Sequence, residues 1–149
     1  GVFGGINDKA SIISRFTHSI WEKKELTLTN CGETKRDFLP MSFLQDAIGS
    51  HLNSPVPNIY NVSSNSELML KDIVKLISHY LAQETSHNFV SIHSTRDFNL
   101  SFDCSLLLNT YPALVKPSLE KNIQLFVKNF INSVFVLFMY SILPIQLFS

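Results

Sequence analysis

Apolar and polar positions alternate along this chain in runs that mark out helices, strands and one anomalous tail. Ile12, Ile13, Phe16, Ile20 and Trp21 recur at the spacing of one helix face, which predicts a helix over 10–22 with Asp8 as its cap. Leu26-Thr27-Leu28-Thr29 alternates as a short strand does, and Asn30-Cys31-Gly32 reads as the turn after it. Lys35-Arg36-Asp37 is a short extended run. Phe43, Leu44, Ala47 and Ile48 then stripe a helix that ends near His51, with Ser42 and Gln45 spaced as a capping box. Ser54 to Pro57 reads as loop, Asn58 to Val62 as a strand, and Ser63 to Glu67 as a polar turn. Leu70, Ile73, Val74, Ile77 and Leu81 predict a helix over 70–81 with Lys71, Asp72 and Lys75 outward. A strand is expected at 89–92, a polar loop at 94–101 and one or two helical turns at 104–109. Ser118 caps a last helix to about Ile131, with Leu119, Ile123, Phe126, Val127 and Phe130 on its apolar face.

Beyond that helix the pattern loses its polar positions. Residues 129–149 carry no charge, and 134–139 are apolar without interruption. A membrane-spanning helix needs about 20 apolar residues. The tail just reaches that length, with Asn132 at one end and Pro144 inside it. Three readings stay open: a membrane-associating segment, a tail packed on the domain or on a partner, or a disrupted C-terminus that selection never shaped.

A chain of 149 residues holds one ordinary domain with a real core. Its formal charge of zero and charged fraction of 16% argue against electrostatic nucleic-acid binding. Cys31 and Cys104 match neither a metal spacing nor CxxC, so a reducing, cytoplasmic compartment is the default, with membrane association through the tail left open. The five histidines show no H-x-x-x-H or HExxH pattern, and no metal site is expected. Gly1, Gly4 and Gly5 do not form G-x-G-x-x-G. Starting on what reads as a strand end, without an initiating Met or a signal peptide, the sequence is expected to be part of a longer protein. The most suggestive chemistry is Arg36, a forked cation just before a helix N-terminus, a combination that suits a phosphate. Asp103 with Ser105 reads as a helix cap rather than as an acid or a nucleophile.

Arg36-Asp37-Phe38 followed by a turn into a helix resembles the "RDF/RDY" segment of extended short-chain dehydrogenases/reductases, the nucleotide-sugar epimerase, dehydratase and reductase family. Other pieces follow in that family's order. Val2-Phe3-Gly4-Gly5 resembles its "VYGP" strand end, and Tyr60-Asn61-Val62-Ser63-Ser64 its "YNIGSG". Leu70-Lys71-Asp72-Ile73-Val74 resembles "sLrElv", and Phe102 to Leu107 contains a counterpart of "D-x-S-K-L". Ser118 to Ile123 resembles "SLEEGI".

The resemblance implies an α/β fold: the C-terminal substrate-binding part of a Rossmann-type extended short-chain dehydrogenase/reductase, helices with short strands, without the N-terminal dinucleotide-binding half. That part would cover 1–131, with 132–149 as an apolar tail. It also implies an NAD or NADP cofactor in the parent enzyme, bound by the other half. The parent reaction would be epimerisation, dehydration or reduction of a nucleotide sugar, of the kind that feeds cell-surface polysaccharide. Arg36 would grip the substrate diphosphate, Asp37 would orient by hydrogen bonding, and Asn7, Asn61 and Arg96 would line the same cleft. The family's basic residue before "D-x-S" has Asn99 in its place here, with Arg96 three positions earlier. No Tyr-x-x-x-Lys pair exists, since Tyr111 and Lys116 are five apart, so this portion alone should not catalyse. The expected partner is a nucleotide sugar, and a homo-oligomer is compatible with it. The alternative is a non-catalytic remnant or binding module tethered by the tail.

Overall fold

The computed structural model describes residues 1–8, 10–85, 87–90, 99 and 101–142. Five helices surround three two-stranded pairings among these residues. Strand β1 (Val2–Phe3) runs parallel to β4 (Leu39–Pro40), and β2 (Leu26–Leu28) runs parallel to β6 (His87–Phe89). Strand β3 (Lys35–Asp37) pairs antiparallel with β5 (Glu67–Met69), with Arg36 opposite Leu68.

Helices α1 (Ile12–Trp21), α3 (Leu70–Leu81) and α5 (Leu119–Ile142) form the main core. Helix α3 packs against both of the others. Ile13, Phe16 and Ile20 meet Ile73, Val74 and Ile77, and Ile123, Phe126, Val127 and Phe130 close the other side. Phe3 reaches this core from β1 and meets Phe126 edge-on, with ring centroids 6.1 Å apart. A smaller cluster lies to one side. There Leu39, Phe43 and Ala47 of β4 and α2 (Met41–Asn53) pack against Leu107 of α4 (Ser105–Thr110) and against Tyr111.

The expected helices form, because each carried a full apolar stripe for a partner to cover. Helix 70–81 appears with the expected bounds, and Ser118 caps α5, its hydroxyl 3.4 Å from the Lys121 amide nitrogen. Five local expectations are corrected. Helix α2 begins at Met41 after Pro40, so Ser42 lies inside its first turn and the Ser42–Gln45 capping box does not form. At α1 the capping position is Ser11 rather than Asp8, whose carboxylate accepts from the Ala10 amide at 3.0 Å in the preceding turn. No strand forms over 58–62, and among the described residues no strand pairs with it. The end of the supposed polar turn is instead β5, recruited by β3. Helix α5 also continues past Ile131 to Ile142 without a break.

The turn after β2 carries strain that glycine relieves. Asn30 and Cys31 adopt left-handed conformations, and Gly32 follows at φ 70°. A β-carbon on Gly32 would sit 3.0 Å from Lys71 Cβ and 3.1 Å from Leu28 Cδ1. Gly32→Ala therefore combines a disfavoured backbone with crowding against α3, and urea denaturation should show a loss of about 1–3 kcal/mol.

Candidate functional site

Asp37 is the anchor of the region that holds Arg36. It is buried on β3, and its Oδ1 accepts from the Ser64 amide at 3.0 Å and from the Ser64 hydroxyl at 2.8 Å. Its Oδ2 is buried without a hydrogen-bond partner in the structure. The Ser64 side chain is completely buried and also receives the Ser66 amide at 3.2 Å. The turn at 63–66 is thereby fastened to β3 just before β5 begins. At the other end of β3, the Lys35 amide donates to Asn99 Oδ1 at 2.9 Å. The position where the family carries a basic residue thus belongs, here, to the support of β3.

Held between those two ties, Arg36 is half-buried, and its Nη1 donates to the Lys35 carbonyl at 3.1 Å. Its side chain lines a cavity of about 410 Å³ together with Gly1, Asp8, Ser11, Ile12 and Phe38. Ser11 and Ile12 open α1, whose first turn contains no acidic residue. The cavity therefore combines a guanidinium with the partly positive N-terminus of a ten-residue helix. Such a setting favours an anionic group, and Asp8 on the rim opposes too large a negative charge.

The other expected site residues scatter. Asn7 is exposed and directly precedes the rim residue Asp8, without itself lining the cavity. Asn61 lies elsewhere: its Nδ2 donates to the Asp103 carbonyl at 3.2 Å, so it ties 58–62 to the segment before α4. Arg96 falls outside the described residues. Ser63, next to Asn61, makes the same kind of tie, donating to the Phe102 carbonyl at 2.7 Å. Ser64 and Ser11 were not expected to matter. Ser64 does lie in the Tyr60–Ser64 segment that carries the resemblance, whereas nothing in the sequence singles out Ser11.

Asp103 does not cap α4, whose capping position is Cys104, but closes the turn that leads into it. Its Oδ1 accepts from the Ser105 amide at 2.9 Å and from the Ser105 hydroxyl at 2.5 Å. These bonds hold its carboxyl below the ordinary value of 3.8. Nearby, His51 Nδ1 lies 2.7 Å from the Tyr111 hydroxyl, and the Tyr60 ring leans on both. Among the described residues no group of His, Cys, Asp and Glu side chains could hold a metal ion.

No protein-family model and no curated protein matches the sequence. Solved structures do match the fold. A dTDP-glucose 4,6-dehydratase from Bacillus anthracis in complex with NAD matches with a TM-score of 0.74 at 22% identity, over 86% of this chain and 41% of that one. A UDP-N-acetylglucosamine 4-epimerase from Methanobrevibacter ruminantium, in complex with UDP-N-acetylmuramic acid, matches at 0.74 and 21% identity, over 89% and 44%. A UDP-glucose 4-epimerase from Thermotoga maritima with UDP-glucose matches at 0.77 and 16% identity, over 90% and 44%. The fold is thus that of part of an extended short-chain dehydrogenase/reductase, the architecture of nucleotide-sugar epimerases and dehydratases. The chain spans less than half the length of the structures it matches.

Two measurements probe this arrangement. Ser64→Ala removes a donor from a buried carboxylate and should destabilise the chain by about 1.5–3 kcal/mol in urea denaturation. Ser105→Ala should raise the Asp103 pKa towards its ordinary value in an NMR titration. Because the folded value is lowered, the Asp103 contribution to stability is present above the ordinary carboxyl pKa and is lost as pH falls through the lowered one.

Proposed function

We propose that this chain is the nucleotide-sugar-binding portion of an NAD(P)-dependent epimerase, dehydratase or reductase, with Arg36 as the residue that holds the substrate diphosphate. The reading is carried by one juxtaposition: Arg36 and the N-terminus of α1 share a cavity, in a fold whose solved counterparts hold UDP-glucose or UDP-N-acetylmuramic acid. The guanidinium fork matches two phosphate oxygens at once, and the α1 amides add donors to a third. Asp37 acts through β3. Its bonds to Ser64 fix the strand, and with it the direction in which Arg36 leaves the backbone. Asn7, beside the rim, extends the same cleft towards the sugar. Asn61 serves the site indirectly by holding the segment before α4, and Arg96 is proposed as a second contact.

NAD or NADP would be the cofactor of the complete enzyme, as solved counterparts hold NAD or NADPH. No residue of this chain is assigned to it. The chain has no Tyr-x-x-x-Lys pair for the proton transfer, so its own contribution is to bind and orient the substrate.

Isothermal titration of the chain with UDP-, GDP- and dTDP-sugars tests this reading. One of the three should bind, and Arg36→Ala should weaken that binding by about 1.5–3 kcal/mol, the scale of a hydrogen bond to a charged group. Absence of heat with all three, from a chain shown to be folded by circular dichroism, would overturn it.

A further inference from the structure

The geometry points to the second half of α5 as an anchor that inserts into an anionic phospholipid membrane. Helix α5 has two unlike halves. As far as Phe130 it is a core helix, with Ile123, Val127 and Phe130 buried on one face and Lys121, Gln124 and Lys128 exposed on the other. From Phe135 to Met139 five successive apolar side chains are exposed, from 53% at Val136 to 71% at Leu137.

Successive helix positions point about 100° apart, so these five face every direction around the axis. A groove on a protein partner, or a second copy laid alongside, would cover one side and leave the other in water. A medium that is apolar on all sides covers the whole helix, and a lipid leaflet is such a medium. The length agrees. Ser133 to Ile142 is helical and rises about 15 Å, half the roughly 30 Å hydrocarbon thickness of a bilayer. The described part of the stretch is thus long enough to enter a leaflet.

The body of the protein supplies a collar where α5 leaves it. Phe130 packs edge-on against Trp21, with ring centroids 5.8 Å apart, and Trp21 is only partly buried at the end of α1. Exposed Lys23 and Lys24 follow it, with Lys24 paired to Glu22. Along the core half of α5 a cavity of about 450 Å³ is lined by Tyr80, Lys121, Gln124, Leu125, Lys128, Ile131 and Asn132. Lys128 and Asn132 stand about two turns and one turn before Phe135, where an ammonium and an amide suit the phosphate of a lipid headgroup. Aromatic and lysine side chains are also the groups that settle at a membrane interface.

The full chain would be mixed with vesicles of phosphatidylcholine alone, or of phosphatidylcholine and phosphatidylglycerol in equal parts, and sedimented. The wild type should pellet with the anionic vesicles. Brominated acyl chains should quench Trp21, the only tryptophan in the sequence. Leu137→Asp should weaken the association at least tenfold while leaving the circular dichroism spectrum unchanged, since Leu137 contributes nothing to the core. Lys128→Gln should weaken it about fivefold at low salt on anionic vesicles. Wild-type protein that stays in the supernatant with both vesicle types would overturn the proposal. So would oligomers that vesicles do not disperse, which would make a second copy the occupant. Binding that survives Leu137→Asp would show that another surface carries it.

Discussion

The buried carboxylate of Asp37 is the constraint on which the proposed site depends. Taking a carboxylate out of water is costly unless donors replace the lost hydration, and here Ser64 supplies both of them to one oxygen. The second oxygen has none in the structure, which leaves the region dependent on the Ser64 contacts. Those contacts dictate more than one local bond. They hold the 63–66 turn against β3, which sets the register of β5 and delivers the chain into α3. Helix α3 is in turn the central member of the main core. A polar clamp thus positions the helix that most of the apolar burial is built around.

The sequence was legible wherever the information was periodic and one partner sufficed. Helix α3 was readable to the residue, because Ile73, Val74 and Ile77 form a stripe that only a helix presents to one neighbour. The turn at Asn30-Cys31-Gly32 was readable because few residues other than glycine and asparagine tolerate positive φ. Strand β5 was not. Glu67-Leu68-Met69 has no strong strand pattern, and it pairs because Asp37 and Ser64 have already brought β3 beside it. At α2 the helix start was misplaced by two positions, since Pro40, fixed in φ and paired within β4, marks the boundary more firmly than a serine does.

The candidate site shows the same division. Arg36 was legible because a fork-shaped cation beside a helix start is unusual and because a quoted motif contains it. Its setting was not, since the helix end facing it is that of α1, some 24 positions earlier in the chain (Ile12 to Arg36), and only the fold brings the two together. Asn61 illustrates the converse. A motif position invites a ligand role, but an amide donor is consumed by whichever acceptor lies nearest, and here that is the Asp103 carbonyl.

Residues 58–62 give the clearest account of what a strand pattern records. Tyr60 and Val62 alternate as strand residues do, yet the segment forms no pairing among the described residues. Isolated strands gain little, because the backbone bonds that stabilise them belong to a neighbour. What holds this segment is a set of side-chain ties instead: Tyr60 to the Val56 carbonyl at 3.0 Å, Asn61 to Asp103 and Ser63 to Phe102. The adjoining cluster is correspondingly thin, with Leu39, Phe43, Ala47, Leu107 and Tyr111 buried while Leu52 and Ile59 stay exposed. The main core is thus the larger of the two, and the second cluster rests on a handful of buried side chains.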